Sequence, residues 1–193
     1  MSVTLLLLTD ARDRPETALM LELARSGFSV VAVVAPQAPA VPILTWGGVN
    51  VVPYRFRSRL SWEAVRFVRE LLSTYSPGLV HAFTGRALHA AVRALKSFSI
   101  PLVAYRGTVG HLSRWNPLDR WGFLSPRVSR IVAVSHAVSA YLSGLGVPDE
   151  RITMIYKGHE CRWYTIAPQL DVRSWREAEF GFTKPVLSCV ANA

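Results

Sequence analysis

Two short stretches of the sequence gather groups that can grip an anion or move a proton: Tyr105-Arg-Gly-Thr-Val-Gly-His111 and Tyr156-Lys-Gly-His-Glu160. In the first, Arg106 offers a planar fork to a carboxylate or phosphate, and Gly107 and Gly110 let backbone amides face a ligand. His111 can exchange protons near neutral pH. In the second, Lys157, Gly158, His159 and Glu160 set a cation, a flexible residue, an imidazole and a carboxylate side by side, with a hinge loop as the competing reading. A third stretch, Asp10-Ala-Arg-Asp-Arg-Pro15, brings Arg12 to a helix start, where free N–H groups and the helix dipole favour an anion. An Asp/Arg ion-pair turn accounts for that stretch equally well. Ser135 either contacts a ligand or caps the helix it precedes, and His81, alone in an apolar strand, reads as a core residue.

The motifs that are missing narrow the chemistry. There is no G-x-G-x-x-G dinucleotide fingerprint, no phosphate-loop lysine, no G-x-S-x-G elbow and no H-E-x-x-H pair. His159 and Cys161 supply two ligands where a zinc site needs four, and no acidic cluster suits magnesium. Neither a metal nor a cofactor is expected.

These candidate residues need elements to position them, and the apolar pattern supplies a regular series. Continuous apolar runs at Val3–Thr9, Phe28–Ala35, Val49–Val52, Leu79–Phe83, Pro101–Tyr105, Val128–Val134 and Ile152–Tyr156 predict strands. Between them, helical spacing predicts helices over Glu16–Ser26, from the Ser61 cap to Tyr75, from Gly85 to Phe98, over Pro117–Phe123 and from Ser135 to Gly144. Pro36–Pro42 reads as a loop. Strands that are apolar throughout, alternating with helices, predict an α/β fold: a Rossmann-like, doubly wound parallel sheet buried on both faces. Such sheets bind ligands beyond the carboxyl ends of their strands, where the three candidate stretches lie.

With 50% hydrophobic and 18% charged residues the chain can fold, and 193 residues suit one complete domain. The formal charge of +9 calls for an acidic partner: anionic lipid, sugar phosphate or nucleic acid. The basic residues are scattered singly, with no run of five, so no nucleic-acid partner is expected. The first residues read as a strand with no basic flank, and no apolar segment approaches a membrane span. The expected location is cytoplasmic. Trp115 and Trp121, interleaved with Arg114 and Arg120, add a peripheral contact with an anionic membrane at its inner face.

The blocks Val128 to Leu142, Gly146-Val-Pro-Asp-Glu-Arg-Ile152 and Tyr156-Lys-Gly-His-Glu160 resemble, in order and spacing, the end of the N-terminal domain in glycosyltransferase family 4. Leu79-Val-His-Ala-Phe83 and Pro101-Leu-Val-Ala-Tyr-Arg-Gly107 resemble upstream strands of that domain. The chain departs from the family pattern at Asp10–Pro15, where a glycine-rich loop is usual, and at Arg106, where His is common. The resemblance implies residues 1–165 as the acceptor-side domain of a two-domain GT-B architecture, 166–184 as a linker, and 185–193 as the first strand of an incomplete donor-binding domain.

It further implies a retaining, metal-independent transferase of cell-envelope polysaccharide biosynthesis, taking a nucleotide-sugar donor and a glycan or lipid-linked acceptor. The donor-binding glutamates would lie beyond residue 193, so the chain alone is expected to be inactive. Candidate substrate contacts are Arg12, Arg106, Gly107, His111, Ser135, Lys157, Gly158, His159 and Glu160; catalytic residues stay unassigned. The alternative is a non-catalytic Rossmann-like module that binds a sugar phosphate or a protein.

Overall fold

The apolar runs become strands because each has two faces to bury. In β1 (Thr4–Leu8), Leu6 and Leu8 point into one core while Leu5 and Leu7 point into another. β2 (Ser29–Val34) divides in the same way, Val31 and Val33 against Val30, Ala32 and Val34. Fully burying one such side chain contributes about 1.5–3 kcal/mol, which is why neither face tolerates the polar alternation of a half-exposed strand. The structure, a computed structural model, describes residues 2–10, 13–160, 174, 177–179 and 181.

Five further strands follow: β3 (Asn50–Pro53), β4 (Leu79–Ala82), β5 (Leu102–Arg106), β6 (Arg130–Ala133) and β7 (Ile152–Met154). All pair in parallel, in the order β3-β2-β1-β4-β5-β6-β7. The chain runs outward from β1 in one direction, returns, and continues in the other from β4, so the order reverses between β1 and β4. The sheet is the predicted doubly wound, Rossmann-like one.

The helices divide unequally between its faces. α1 (Arg14–Arg25) and α2 (Ala40–Trp46) bury Met20, Ala40 and Leu44 against one face of β1 and β2. α3 (Trp62–Tyr75), α4 (Gly85–Ala94) and α6 (His136–Gly144) all contribute to the core on the other face. Ser61, Thr84 and Ser135 cap them, each hydroxyl accepting from a backbone N–H three residues on. Gly146, just after α6, takes a φ of +87°, a left-handed conformation that glycine adopts without a Cβ clash.

Two elements differ from expectation. Residues 40–46 are helical where a loop was predicted: Pro39 sits at the cap and Pro42 in the first turn, whose N–H groups have no intrahelical partner to lose. The helix expected over 117–123 is the single turn α5 (Pro117–Arg120), capped by Asn116. Beyond it Gly122 packs against the His89 ring, where a Cβ would lie 2.7 Å from Nε2.

The chain divides into two units, Met1–Gly158 and His159–Ala193. The first is the sheet with its helices. In the second, residues 174 and 177–179 are helical. The strand expected over 185–193 lies outside the described residues, as does most of the linker expected over 166–184.

Candidate functional site

The chain holds its sheet register for a residue past several strands, which fixes the side chains at the carboxyl edge. Thr9 N–H donates to Val33 O at 3.0 Å, Phe83 N–H to Leu8 O at 2.9 Å and Ile155 N–H to Ala133 O at 2.9 Å. From β1 this order continues into Asp10, only 8% exposed, whose Oδ1 is buried with no hydrogen-bond partner among the described residues. An unsatisfied buried carboxylate oxygen carries a desolvation penalty of a few kcal/mol, so in a native fold it marks a place awaiting a donor. It lies at the end of β1, beside the point where the strand order reverses.

Around it stands a polar cluster. Thr9, fully buried, donates its hydroxyl to Glu16 Oε2 at 2.6 Å across the turn into α1. Burial pushes the Glu16 carboxyl above its ordinary range, and the nearby charges of Asp13 and Asp10 add to this against the Thr9 bond and Lys157. Lys157 arrives from the strand at the far edge and pairs with Asp13. It also hydrogen-bonds Tyr105, whose hydroxyl burial pushes upward while the ammonium pulls it back.

An aromatic column flanks the cluster. His81 stacks on Phe83 at 4.1 Å, and Phe83 meets Tyr105 at 5.9 Å. Burial lowers His81 to about 4, so the ring is neutral at pH 7, and its Nε2 has no partner among the described residues. The arrangement offers hydrogen-bond acceptors (Asp10, Glu16, neutral His81), the Lys157 ammonium and flat apolar walls. That set suits a polyhydroxylated ligand, whose hydroxyls donate to carboxylates and whose ring faces pack on aromatic surfaces.

The predicted contacts are distributed as follows. Arg106, Gly107 and His111 share one loop, but Arg106 turns inward: Nε donates to Thr108 O at 2.8 Å and Nη2 to Gly110 O. Its guanidinium also lies 5.2 Å from the Phe123 ring. The fork expected for a ligand thus staples its own loop. Gly107 runs against the Tyr105 ring, where a Cβ would approach to 3.2 Å. Gly110 and His111 both have left-handed φ, +88° and +62°, and the turn is held beyond them by Tyr141, whose hydroxyl bonds Leu112 N and O at 2.9 and 3.0 Å.

Ser135 is occupied as a cap, accepting from Val138 N–H at 3.3 Å. Gly158 closes the first unit, with open space where a Cβ would be. His159, exposed, and Glu160, half-buried, open the second. Arg12 lies outside the described residues.

Asp10, Asp13, Glu16 and Tyr105 were missed as candidates. The strand-end rule led to Asp10–Pro15, but its arginines were weighed as anion ligands instead of its carboxylates. Asp13 pairs with Lys157, 144 residues away. No spacing in the sequence signals that contact. Among the described residues no three His, Cys, Asp or Glu side chains are grouped to hold a metal ion.

The sequence model of Glycosyltransferase Family 4 matches residues 17–162. No curated protein sequence matches the chain. Among solved structures, the fold is similar to a glycosyltransferase from Rickettsia africae ESF-5, at 15% identity and a TM-score of 0.67, covering 92% of this chain and 49% of that one. It is similar to HepE of Anabaena in complex with UDP and glucose, at 19% identity and a TM-score of 0.62, covering 91% and 50%. A UDP-GlcNAc 2-epimerase from Neisseria meningitidis bound to UDP-GlcNAc matches at 15% identity and a TM-score of 0.56, covering 95% and 55%. The chain therefore spans about half the length of the structures it matches.

Proposed function

The chain belongs to glycosyltransferase family 4, and we propose that it is the acceptor-side half of a transferase that moves a sugar from a nucleotide-sugar donor to a glycan or lipid-linked acceptor with retention of configuration. The observation that carries this reading is Asp10: a buried carboxylate oxygen without a donor among the described residues, at the strand-order reversal where open α/β sheets take their ligands. An acceptor hydroxyl supplies that donor. Glu16 and His81 accept further hydroxyls, Tyr105 and Phe83 form the wall, and the loop from Arg106 through Gly107 to His111 closes one side.

In the transfer itself the bond between the anomeric carbon and the donor phosphate oxygen breaks, a bond to the acceptor oxygen forms on the same face, and the acceptor hydroxyl's proton passes to the departing phosphate oxygen. Lys157, next to Asp13, offers a cation to the departing diphosphate, with Gly158 giving the backbone room. Retention, the envelope-polysaccharide pathway, a lipid-linked acceptor at an inner membrane face and the roles of Arg12, Ser135, His159 and Glu160 rest on the family resemblance. The family match favours transfer over the epimerisation that the same fold also supports.

The test compares this chain with a form extended to the stop codon of its gene, in a screen of nucleotide sugars and saccharide acceptors. Transfer by the extended form alone, with Asp10→Asn raising the acceptor KM, is the expected result. A second reading is a non-catalytic module for a sugar phosphate or protein. Saturable ligand binding without turnover in either form would establish it instead.

A further inference from the structure

Two loops far apart in sequence are fastened together on the face of the molecule carrying α3 and α4. Arg59 pairs with Asp119 at 3.6 Å, and Asp119, only 3% exposed, also accepts from Ser113 N–H at 2.9 Å. Arg93 of α4 donates to the carbonyls of Arg59 at 2.8 Å and Ser61 at 3.4 Å, and its guanidinium lies 5.4 Å from the Trp62 ring. Gly122 rests on His89 of the same helix. Segments 57–62 and 113–122 are thus one surface built on one scaffold.

That surface is unusually apolar for exposed chain. Trp62 is 72% exposed, Trp115 81% and Trp121 59%, with Leu60 beside them. Isolated exposed hydrophobics are ordinary, but three tryptophans with a leucine on two tethered segments form a patch. Arg57, Arg114 and Arg120 are exposed among them, and the Arg114 guanidinium stands 5.1 Å from the Trp115 ring. Asp119 is buried and paired, and the exposed Glu63 beside Trp62 is outnumbered by the exposed Arg57, Arg59, Arg114 and Arg120, so the outward charge is cationic.

We infer that this surface docks on an anionic lipid bilayer. Indole rings settle at the level of the headgroups, where an apolar body and one N–H donor are both accommodated, and arginines between them meet lipid phosphates. A nucleic acid would answer to the charge but gives no reason for aliphatic Leu60 or for rings spread over separate loops. No described helix is long and apolar enough to cross a membrane, so the contact is one of surface and headgroup. It uses no donor sugar and stands or falls separately from the proposed transfer.

The experiment is co-sedimentation of the full chain with vesicles of pure phosphatidylcholine or of an equimolar phosphatidylcholine–phosphatidylglycerol mixture, at physiological salt. Binding to the anionic vesicles, with a blue shift of tryptophan emission, is expected. Arg114→Glu with Arg120→Glu should weaken it more than about tenfold, since each basic residue near the surface contributes roughly a fivefold factor. Trp115→Ala with Trp121→Ala should weaken it and remove the blue shift. Lys96→Glu with Arg130→Glu changes net charge equally at exposed sites beyond the patch, and should leave binding within about twofold of wild type. Equal loss in that control, binding without preference for anionic lipid, or binding to single-stranded RNA in place of vesicles would each overturn the proposal.

Discussion

Lys157 and Asp13 stand 144 residues apart in sequence and form an ion pair, so the exit from β7 is tied to the turn that enters α1. Burial lowers the lysine pKa, but the Asp13 bond and the charges of Tyr105, Asp13 and Glu16 outweigh it and raise the value above 10.5. The pair fixes the Lys157 ammonium beside the carboxylates of the candidate site.

Because both side chains are about a third exposed, Lys157→Ala or Asp13→Ala should each cost no more than about 1 kcal/mol of stability. The double variant should cost less than the sum, read by denaturant unfolding. A pKa raised on folding means the contribution is present at neutral pH and is lost as pH rises through the folded value, above 10.5. Additive effects would show that the pair is not energetically coupled.

Glu16 should be a liability for stability at neutral pH. Its folded pKa is raised, chiefly by burial, so the folded state binds its proton more tightly than the unfolded one. Stability therefore falls as pH rises through the range just above 4.5. Glu16→Gln retains an acceptor for Thr9, and should raise the melting temperature at pH 7 but leave it unchanged well below pH 4.5.

His81 acts in the opposite sense. With a folded value of about 4 against 6.5, it is bound by fewer protons in the native state, so stability rises with pH between those limits. The linked free energy is roughly 3 kcal/mol by the usual conversion. Thermal melts from pH 4 to 7 should show an acid limb that is shallower in His81→Gln. An unchanged limb would mean that the ring is not titrating across this range.

Arg106 holds its own loop, and lysine cannot reproduce two divergent donors on one plane. Arg106→Lys should be nearly as damaging as Arg106→Ala, each losing about 1–3 kcal/mol. Amide exchange should rise over residues 108–112, where Gly110 and His111 keep left-handed backbone. Full protection in the lysine variant would contradict this account.

Gly122→Ala should destabilise by about 1–3 kcal/mol through overpacking against the buried His89 ring. The same substitution in a His89→Ala background should cost little, since the obstructing ring is gone. Equal cost in both backgrounds would locate the strain elsewhere.

The sheet was legible because Leu5–Leu8 and Val30–Val34 are apolar on both faces, a pattern that parallel strands require and that few alternatives share. The α2 helix was hidden by Pro39 and Pro42, which mark a loop to any local reading but are harmless in a first turn. The candidate site divided along similar lines. Arg106 and Lys157 were visible as charged residues after strands, but their partners were not, since Gly110 O and the Asp13 carboxylate become neighbours only once the chain has folded. Asp10 could be located at a strand end; that its oxygen is buried without a donor among the described residues is a property of packing and leaves no trace in composition.

The reversal of strand order between β1 and β4 also shapes how the chain must assemble. β1 is made first and ends up near the middle of the sheet, with β2 on one side available almost at once through α1. Its other edge stays unpaired until Leu79–Ala82 has been synthesised. During that interval a row of leucines and open backbone amides is exposed, a template for pairing with another chain. Conditions that slow elongation through α3 should therefore promote aggregation of the nascent protein, whereas slowing after β4 should not.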